Sequence, residues 1–255
     1  MTEPLFRGVG VALVTLFDSS GSLLAVASAE HAARVVEVGI GAVLVAGTTG
    51  EAAALDPPER IELLRAVRAA VPDGVPVIMG TGAPSAHQAV ALTRAACDEG
   101  ADAVLVLSPP DTHDPRPYYD QVARAAGATP ALAYHYPSSS APGISVEHLA
   151  ELPVAGCKDS SGDPTRLART AGLFGGAIWV GNPSLALMAG ALGTAGAILA
   201  VANLDPESCL AAYSGDAAAQ RHLAEVHVAT SHRYPAQLKE LMADRWGTSP
   251  TARLG

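Results

Sequence analysis

Eight short apolar runs, each nearly continuous in Val, Ala, Leu and Ile, recur along this chain between longer amphipathic stretches. They are GVGVALVTLF (8–17), GAVLVAG (41–47), VPVIMGTG (75–82), ADAVLVLSP (101–109), PALAYHYP (130–137), VAGCKDS (154–160), AIWVGN (177–182) and AGAILAVAN (195–203). A run without polar alternation is apolar on both faces, as a parallel strand covered on both sides must be. The intervals read as helices. PPERIELLRAVRAAV (57–71) opens on proline with Glu59 in its first turn, and PSAHQAVALTRAACDEG (84–100) stops at Gly100. Strand and helix alternating through eight strands with short links predict a (β/α)8 TIM barrel over a doubly wound sheet. After the eighth run, PESCLAAYSG, DAAAQRHLAEVHVATSH and PAQLKELMADRWG predict additional C-terminal helices. The expected organisation is a barrel over residues 1–204 and a helical extension over 205–255 packed on it, one domain in all.

A chain of 255 residues, about half of them apolar, can bury a large core. The net charge of -9 argues against nucleic acid and anionic membrane as partners, because neither is attracted by an acidic surface. No run is long enough to span a bilayer. The run 8–17 has only Arg7 as a basic leader and is followed by FDSSGS, so no targeting segment is expected and a cytoplasmic location is. Cys97, Cys157 and Cys209 are widely spaced and odd in number, which predicts three buried thiols rather than disulfides or a zinc site.

In a parallel barrel the carboxyl ends of the strands meet at one mouth, where active sites form. Those ends carry Thr15, Thr48-Thr49-Gly50-Glu51, Thr81, Ser108, Tyr134, Tyr136, Lys158, Gly181-Asn182 and Asn203, a hydroxyl-rich ring with one primary amine. Paired carboxylates for glycoside chemistry and a His/Asp/Glu metal trio are both missing from it. His222, His227 and His232 recur every five residues, which does not align on one helical face, so they read as solvated surface.

The lysine is unusual for this chain, in which only Lys158 and Lys239 are not arginine among sixteen basic residues. An amine enclosed in a poorly solvated mouth loses its proton more readily and becomes a nucleophile that can form a Schiff base, whereas a guanidinium stays protonated. Spacing and composition leave a second reading open, a strand-end lysine that reaches solvent or pairs with Asp159.

GTTGE (47–51), AYHYP (133–137), GCKDSSGD (156–163), the GN after the seventh run and GAILAVAN (196–203) occur together in one order. In this the chain resembles the dihydrodipicolinate synthase / N-acetylneuraminate lyase family of class I, pyruvate-dependent aldolases, over most of its length. The resemblance implies that Lys158 forms the imine, that Tyr134 relays protons as general acid and base, and that Thr48 and Thr49 hold the substrate carboxylate. It also implies that Gly181 and Ile198 line the pyruvyl pocket. No metal or organic cofactor is implied, the covalent imine taking that place, and the partners implied are a 2-oxo acid, an aldehyde and further copies of the chain in a homo-oligomer, a dimer or tetramer.

The chain departs from the synthase branch in three places. Pro110 and Asp111 of SPPDTHDP stand where that branch has a tyrosine pair, with Asp111, His113, Tyr118 and Tyr119 as candidate substitutes and a solvated loop as the alternative. Ser139 stands where an arginine would grip the second substrate's carboxylate, and Tyr136 followed by small hydroxyl residues looks closer to the branch that cleaves 2-keto-3-deoxy sugar acids, so the resemblance implies that Tyr136 and Ser139 bind the substrate. The chain also stops at TARLG, about where relatives continue into further helices. The expected function is therefore making or cleaving a C–C bond between pyruvate or a 2-oxo acid and a small aldehyde. The alternatives are an imine-dependent hydro-lyase of a 2-oxo sugar acid, dihydrodipicolinate synthase proper, and a non-catalytic protein that binds a 2-oxo acid.

Overall fold

The computed structural model describes residues 3–254. Its eight strands are β1 (Gly8–Ala12), β2 (Ala42–Val45), β3 (Val77–Gly80), β4 (Ala103–Leu107), β5 (Ala131–His135), β6 (Gly156–Asp159), β7 (Ala177–Val180) and β8 (Gly196–Leu199). All pair in parallel with their sequence neighbours, and β8 pairs back to β1, so the sheet closes into a barrel. Each predicted run contains one strand. The first run is longer than its strand, because past Ala12 the backbone turns to other partners. The Val14 amide donates to Asn203 Oδ1 at 3.1 Å and the Leu16 amide to Ser28 Oγ at 2.9 Å.

Successive side chains alternate across the barrel wall. Leu44, Ile78, Leu105, Leu132, Trp179 and Ile198 fill the interior, with Phe6 stacked on Trp179 at 5.2 Å between ring centroids. Val43, Val45, Val77, Met79, Val104 and Val106 point outward into the larger core under the helices. Both faces are thus dry, which is why the strands show no polar alternation.

The helices are α1 (Ala25–Glu37), α2 (Pro57–Ala70), α3 (Ala86–Asp98), α4 (Arg116–Ala126), α5 (Val146–Glu151), α6 (Pro164–Leu173), α7 (Ala186–Ala191), α8 (Pro206–Tyr213), α9 (Ala217–Ser231) and α10 (Ala236–Trp246). Their starts follow local chemistry. Glu59 accepts the Asp56 amide at 2.9 Å at the start of α2, and Asp163 caps α6 by accepting from the Thr165 and Arg166 amides, with Pro164 next in line. Helix α8 packs on β1 and β8 and places Cys209 and Ala212 in the main core. It therefore completes the ring, and the helices outside the ring are α9 and α10 rather than everything after residue 204. Cys157 and Cys209 are buried, whereas Cys97 is only half-buried, with Sγ 3.8 Å from the Ala126 carbonyl. No helix among the described residues is long and apolar enough to cross a membrane.

One close approach shapes the mouth. Ala46, just past β2, has φ +50°, and its carbonyl fills the space where Gly80 would carry a Cβ. Backbone cannot swing aside as a flexible side chain can, so Gly80→Ala forces β2 and β3 apart at the base of the GTTGE loop. Overpacking of this kind is expected to destabilise the fold by about 1–3 kcal/mol, read as a lower urea midpoint with an unchanged slope.

Candidate active site

Within β6, alternation sends Lys158 into the barrel and Asp159 out of it. Lys158 lies in register with Tyr134 on β5 and Trp179 on β7. Outside the barrel, Asp159 is held by Arg166 at 2.7 Å and by the Ser161 amide and hydroxyl at 2.9 and 2.6 Å. The pairing of Lys158 with Asp159 is thereby excluded. Lys158 is 4% exposed, and no ion pair or hydrogen bond to its amine occurs among the described residues. Its Nζ lies 4.5 Å from the centre of the Tyr134 ring. Burial without a counter-charge disfavours the ammonium and lowers its pKa from 10.5 to about 7.

A cavity of about 220 Å³ opens at the carboxyl ends of the strands, and Lys158 lines it. Thr48, Thr49, Tyr134, Tyr136, Gly181 and Asn182 line it too, so the structure brings together seven of the residues singled out at the strand ends. The rings of Tyr134 and Tyr136 stack at 5.6 Å. Burial raises the pKa of the Tyr134 phenol, and hydrogen bonding with Ser160 and Thr48 opposes that rise. The phenol is thus protonated at neutral pH, fit to give a proton before it takes one. Gly181 has a steric reason to be glycine. A Cβ there would overlap the Ser160 hydroxyl and come within 2.9 Å of Lys158 Cε.

Other expected residues lie elsewhere. Ile198 is buried inside the barrel, in the apolar layer with Trp179 and Tyr134. Ser139 is exposed and outside the cavity lining, its amide donating to the Tyr136 carbonyl at 3.0 Å; Ser140 is the buried one, donating to the Ser108 carbonyl at 2.6 Å. Strand β5 ends at His135, and the turn after it carries Ser139 out toward solvent. Asp111 and His113 are exposed and do not line the cavity. Tyr118 and Tyr119 do not reach in either. Their hydroxyls donate to the carbonyls of Ala83 at 3.0 Å and Val106 at 2.6 Å, which ties α4 to the barrel. Thr15 and Asn203 are structural: Thr15 Oγ1 donates to the Gly50 carbonyl, and Asn203 Nδ2 donates to the Ala12 and Ala200 carbonyls.

The C-terminal helices bring residues that the strand ends did not announce. His227 and Ser231 of α9, and Tyr234 in the turn before α10, line the cavity. His227 is half-buried, with its pKa lowered by burial, so the solvated reading fits His222 and His232 but not His227. Tyr234 donates to Thr49 Oγ1 at 2.5 Å across 185 positions of sequence. No local pattern announces such a contact. The second lysine, Lys239 on α10, is fully buried and pairs with Glu51, the last residue of GTTGE. It also donates to the Thr251 carbonyl at 2.9 Å, while Glu51 accepts the amides of Arg253 and Leu254 at 2.8 and 2.6 Å. Burial lowers the Lys239 pKa and Glu51 opposes that shift.

A family model described as the dihydrodipicolinate synthetase family matches residues 5–246. The chain belongs to this family. Members are class I, Schiff-base-forming lyases, and so is this protein. Among its relatives, an uncharacterized DapA-like lyase of Halobacterium salinarum is 36% identical over 255 residues, which cover 93% of this chain and 81% of that protein. The 4-hydroxy-tetrahydrodipicolinate synthase of Pseudomonas aeruginosa is 36% identical over 231 residues, covering 85% and 79%. The dihydrodipicolinate synthase of Aquifex aeolicus superposes with a TM-score of 0.88 at 26% identity, over 98% of this chain and 91% of that one.

The two lysines predict opposite responses to one substitution. The Lys158 pKa is depressed in the fold, so its burial cost is present in full below about pH 7 and is lost as the pH rises to 10.5. Lys158→Met is therefore expected to stabilise the protein at pH 7 by on the order of 3 kcal/mol, an advantage that shrinks at higher pH. Lys239→Met leaves Glu51 buried and unpaired, which is expected to cost about 3–5 kcal/mol. Denaturant midpoints of both variants at pH 7 and pH 10 check the pair.

Proposed function

We propose that this protein makes or breaks the C–C bond between pyruvate, or a homologous 2-oxo acid, and a small hydroxylated aldehyde through an imine on Lys158. The observation that carries this reading is an amine buried without a counter-ion, with a pKa near 7, beside the Tyr134 phenol in a hydroxyl-lined cavity. A family relative, the dihydrodipicolinate synthase of Acinetobacter baumannii, 26% identical with a TM-score of 0.82, has been solved complexed with pyruvate, which supports the choice of 2-oxo acid.

The neutral Nζ attacks C2 of the 2-oxo acid. The departing oxygen takes one proton from Nζ and one from Tyr134, water leaves, and an iminium remains beside the Tyr134 phenolate. Loss of a C3 proton to the phenolate yields an enamine whose C3 adds to the aldehyde carbon. The new alkoxide takes a proton, and water then releases the product and restores Lys158. Cleavage runs through the same steps in reverse. Thr48 and Thr49 hold the carboxylate by hydrogen bonding. The imine is itself the electron sink, so this scheme uses no metal or organic cofactor.

The second substrate is read from what lines the rest of the cavity. No arginine does so among the described residues, and Ser139, at the position expected for one, is outside the lining. Tyr136, Ser160, Asn182 and Ser231 offer neutral donors and acceptors instead. Such a wall suits the hydroxyls of a sugar-acid fragment better than a second carboxylate, and it favours a 2-keto-3-deoxy sugar acid over an amino-acid semialdehyde.

Incubation with pyruvate followed by borohydride reduction tests the imine. A stable adduct on the Lys158 peptide is expected, with none on Lys158→Ala; labelling confined to Lys239 contradicts the proposal. The initial trapping rate is expected to rise with pH, falling about tenfold for each unit below 7 as Nζ is protonated. Release of pyruvate from 2-keto-3-deoxygluconate, against loss of water with all carbons retained, separates lyase from hydro-lyase.

A further inference from the structure

We propose that Tyr234 is a positioning residue for substrate binding: its hydroxyl orients the Thr49 hydroxyl so that the Thr49 proton points into the cavity toward the substrate carboxylate. This rests on the reading of Thr48 and Thr49 as the carboxylate anchor.

A hydroxyl has one proton and two acceptor sites. Tyr234 Oη donates to Thr49 Oγ1 at 2.5 Å and so occupies one acceptor site. Thr49 is 4% exposed and, among the described residues, donates its proton to no protein acceptor. Both side chains line the cavity, so the free proton and the space for an anion lie together. Without Tyr234 the Thr49 rotor is released, and a lone pair can face the carboxylate as readily as the proton does. Donation into Oγ1 also polarises the Thr49 O–H bond and strengthens the hydrogen bond it gives.

The phenol is held in place from the same helix end. Lys239, on the first turns of α10, pairs with Glu51, two residues after Thr49, so one short segment grips the GTTGE loop at two points. Burial beside Thr49 raises the Tyr234 pKa, so the phenol keeps its proton and acts as a fixed donor rather than a proton carrier. Nothing in GTTGE or in HRYPAQ shows this relation locally, since the two segments meet only through the fold.

The test is a double-mutant cycle of Tyr234→Phe, which keeps the ring and its packing, and Thr49→Val. Pyruvate affinity is measured by calorimetry on the intact protein, and the borohydride trapping rate is measured at saturating pyruvate. Tyr234→Phe alone is expected to weaken pyruvate binding about tenfold with little change in the saturated trapping rate. In the Thr49→Val background it is expected to add less than about twofold, because its target is gone. Unchanged affinity in Tyr234→Phe, losses that multiply in the double variant, or a fall only in the saturated rate each overturn the proposal. Calorimetry registers pyruvate whether or not an imine forms, so pyruvate binding with no adduct in the unaltered protein strikes the imine reading alone. An adduct with no shift in Tyr234→Phe strikes this proposal alone.

Discussion

Burial of Lys158 without a counter-ion is the constraint from which the chemistry of this protein follows. The closed parallel ladder makes it possible, because interior side chains meet water only at the mouth, and alternation turns Asp159 outward onto Arg166. A carboxylate one residue away thus leaves the amine uncompensated. Lys239 shows the other outcome for the same side chain. It is as deeply buried, but Glu51 and the Thr251 carbonyl surround its ammonium, and its work is structural. One lysine is poised near neutrality and the other holds a loop, and partner geometry alone separates them.

That loop joins the barrel to the C-terminal helices. GTTGE leaves β2 through Ala46 and ends at Glu51, both at positive φ, a conformation that non-glycine residues keep only when their surroundings enforce it. Thr15 fixes the Gly50 carbonyl from β1's extension, Gly80 leaves room for the Ala46 carbonyl, and Lys239 with the Arg253 and Leu254 amides holds Glu51. Arg253 also makes two hydrogen bonds to Glu59 at the start of α2. The C-terminal segment is therefore part of the mouth, which α9 and Tyr234 line and α10 braces through Lys239.

How much was legible depended on whether a residue's role is local. Lys158 and Tyr134 sit within β6 and β5, where period-two alternation turns them into the barrel. Thr48, Thr49, Tyr136 and Gly181 lie just past their strands, at the shared mouth, where the family motifs rather than alternation mark them. Ser139 lies further along the turn after β5, which carries it out to solvent although its place in the family motif marks it for the substrate. The spacing of His227 from His222 and His232 says nothing about what packs on its own face of α9, which is why its place in the cavity wall is not legible there. Tyr118 and Tyr119 carry hydroxyls near the barrel, yet both are used up on backbone carbonyls, a bookkeeping that spacing does not reveal.

By itself the sequence determined the barrel, its strand order and the amine at the end of the sixth strand, because hydrophobic period and turn chemistry act over a few residues. Only the tertiary structure decided which lysine is free and which is paired, and which hydroxyls face the substrate. It also decided that a tyrosine 185 positions from Thr49 would share its hydrogen bond. Those outcomes rest on contacts between segments that no local pattern relates, and on desolvation, which exists only once the chain has closed around the site.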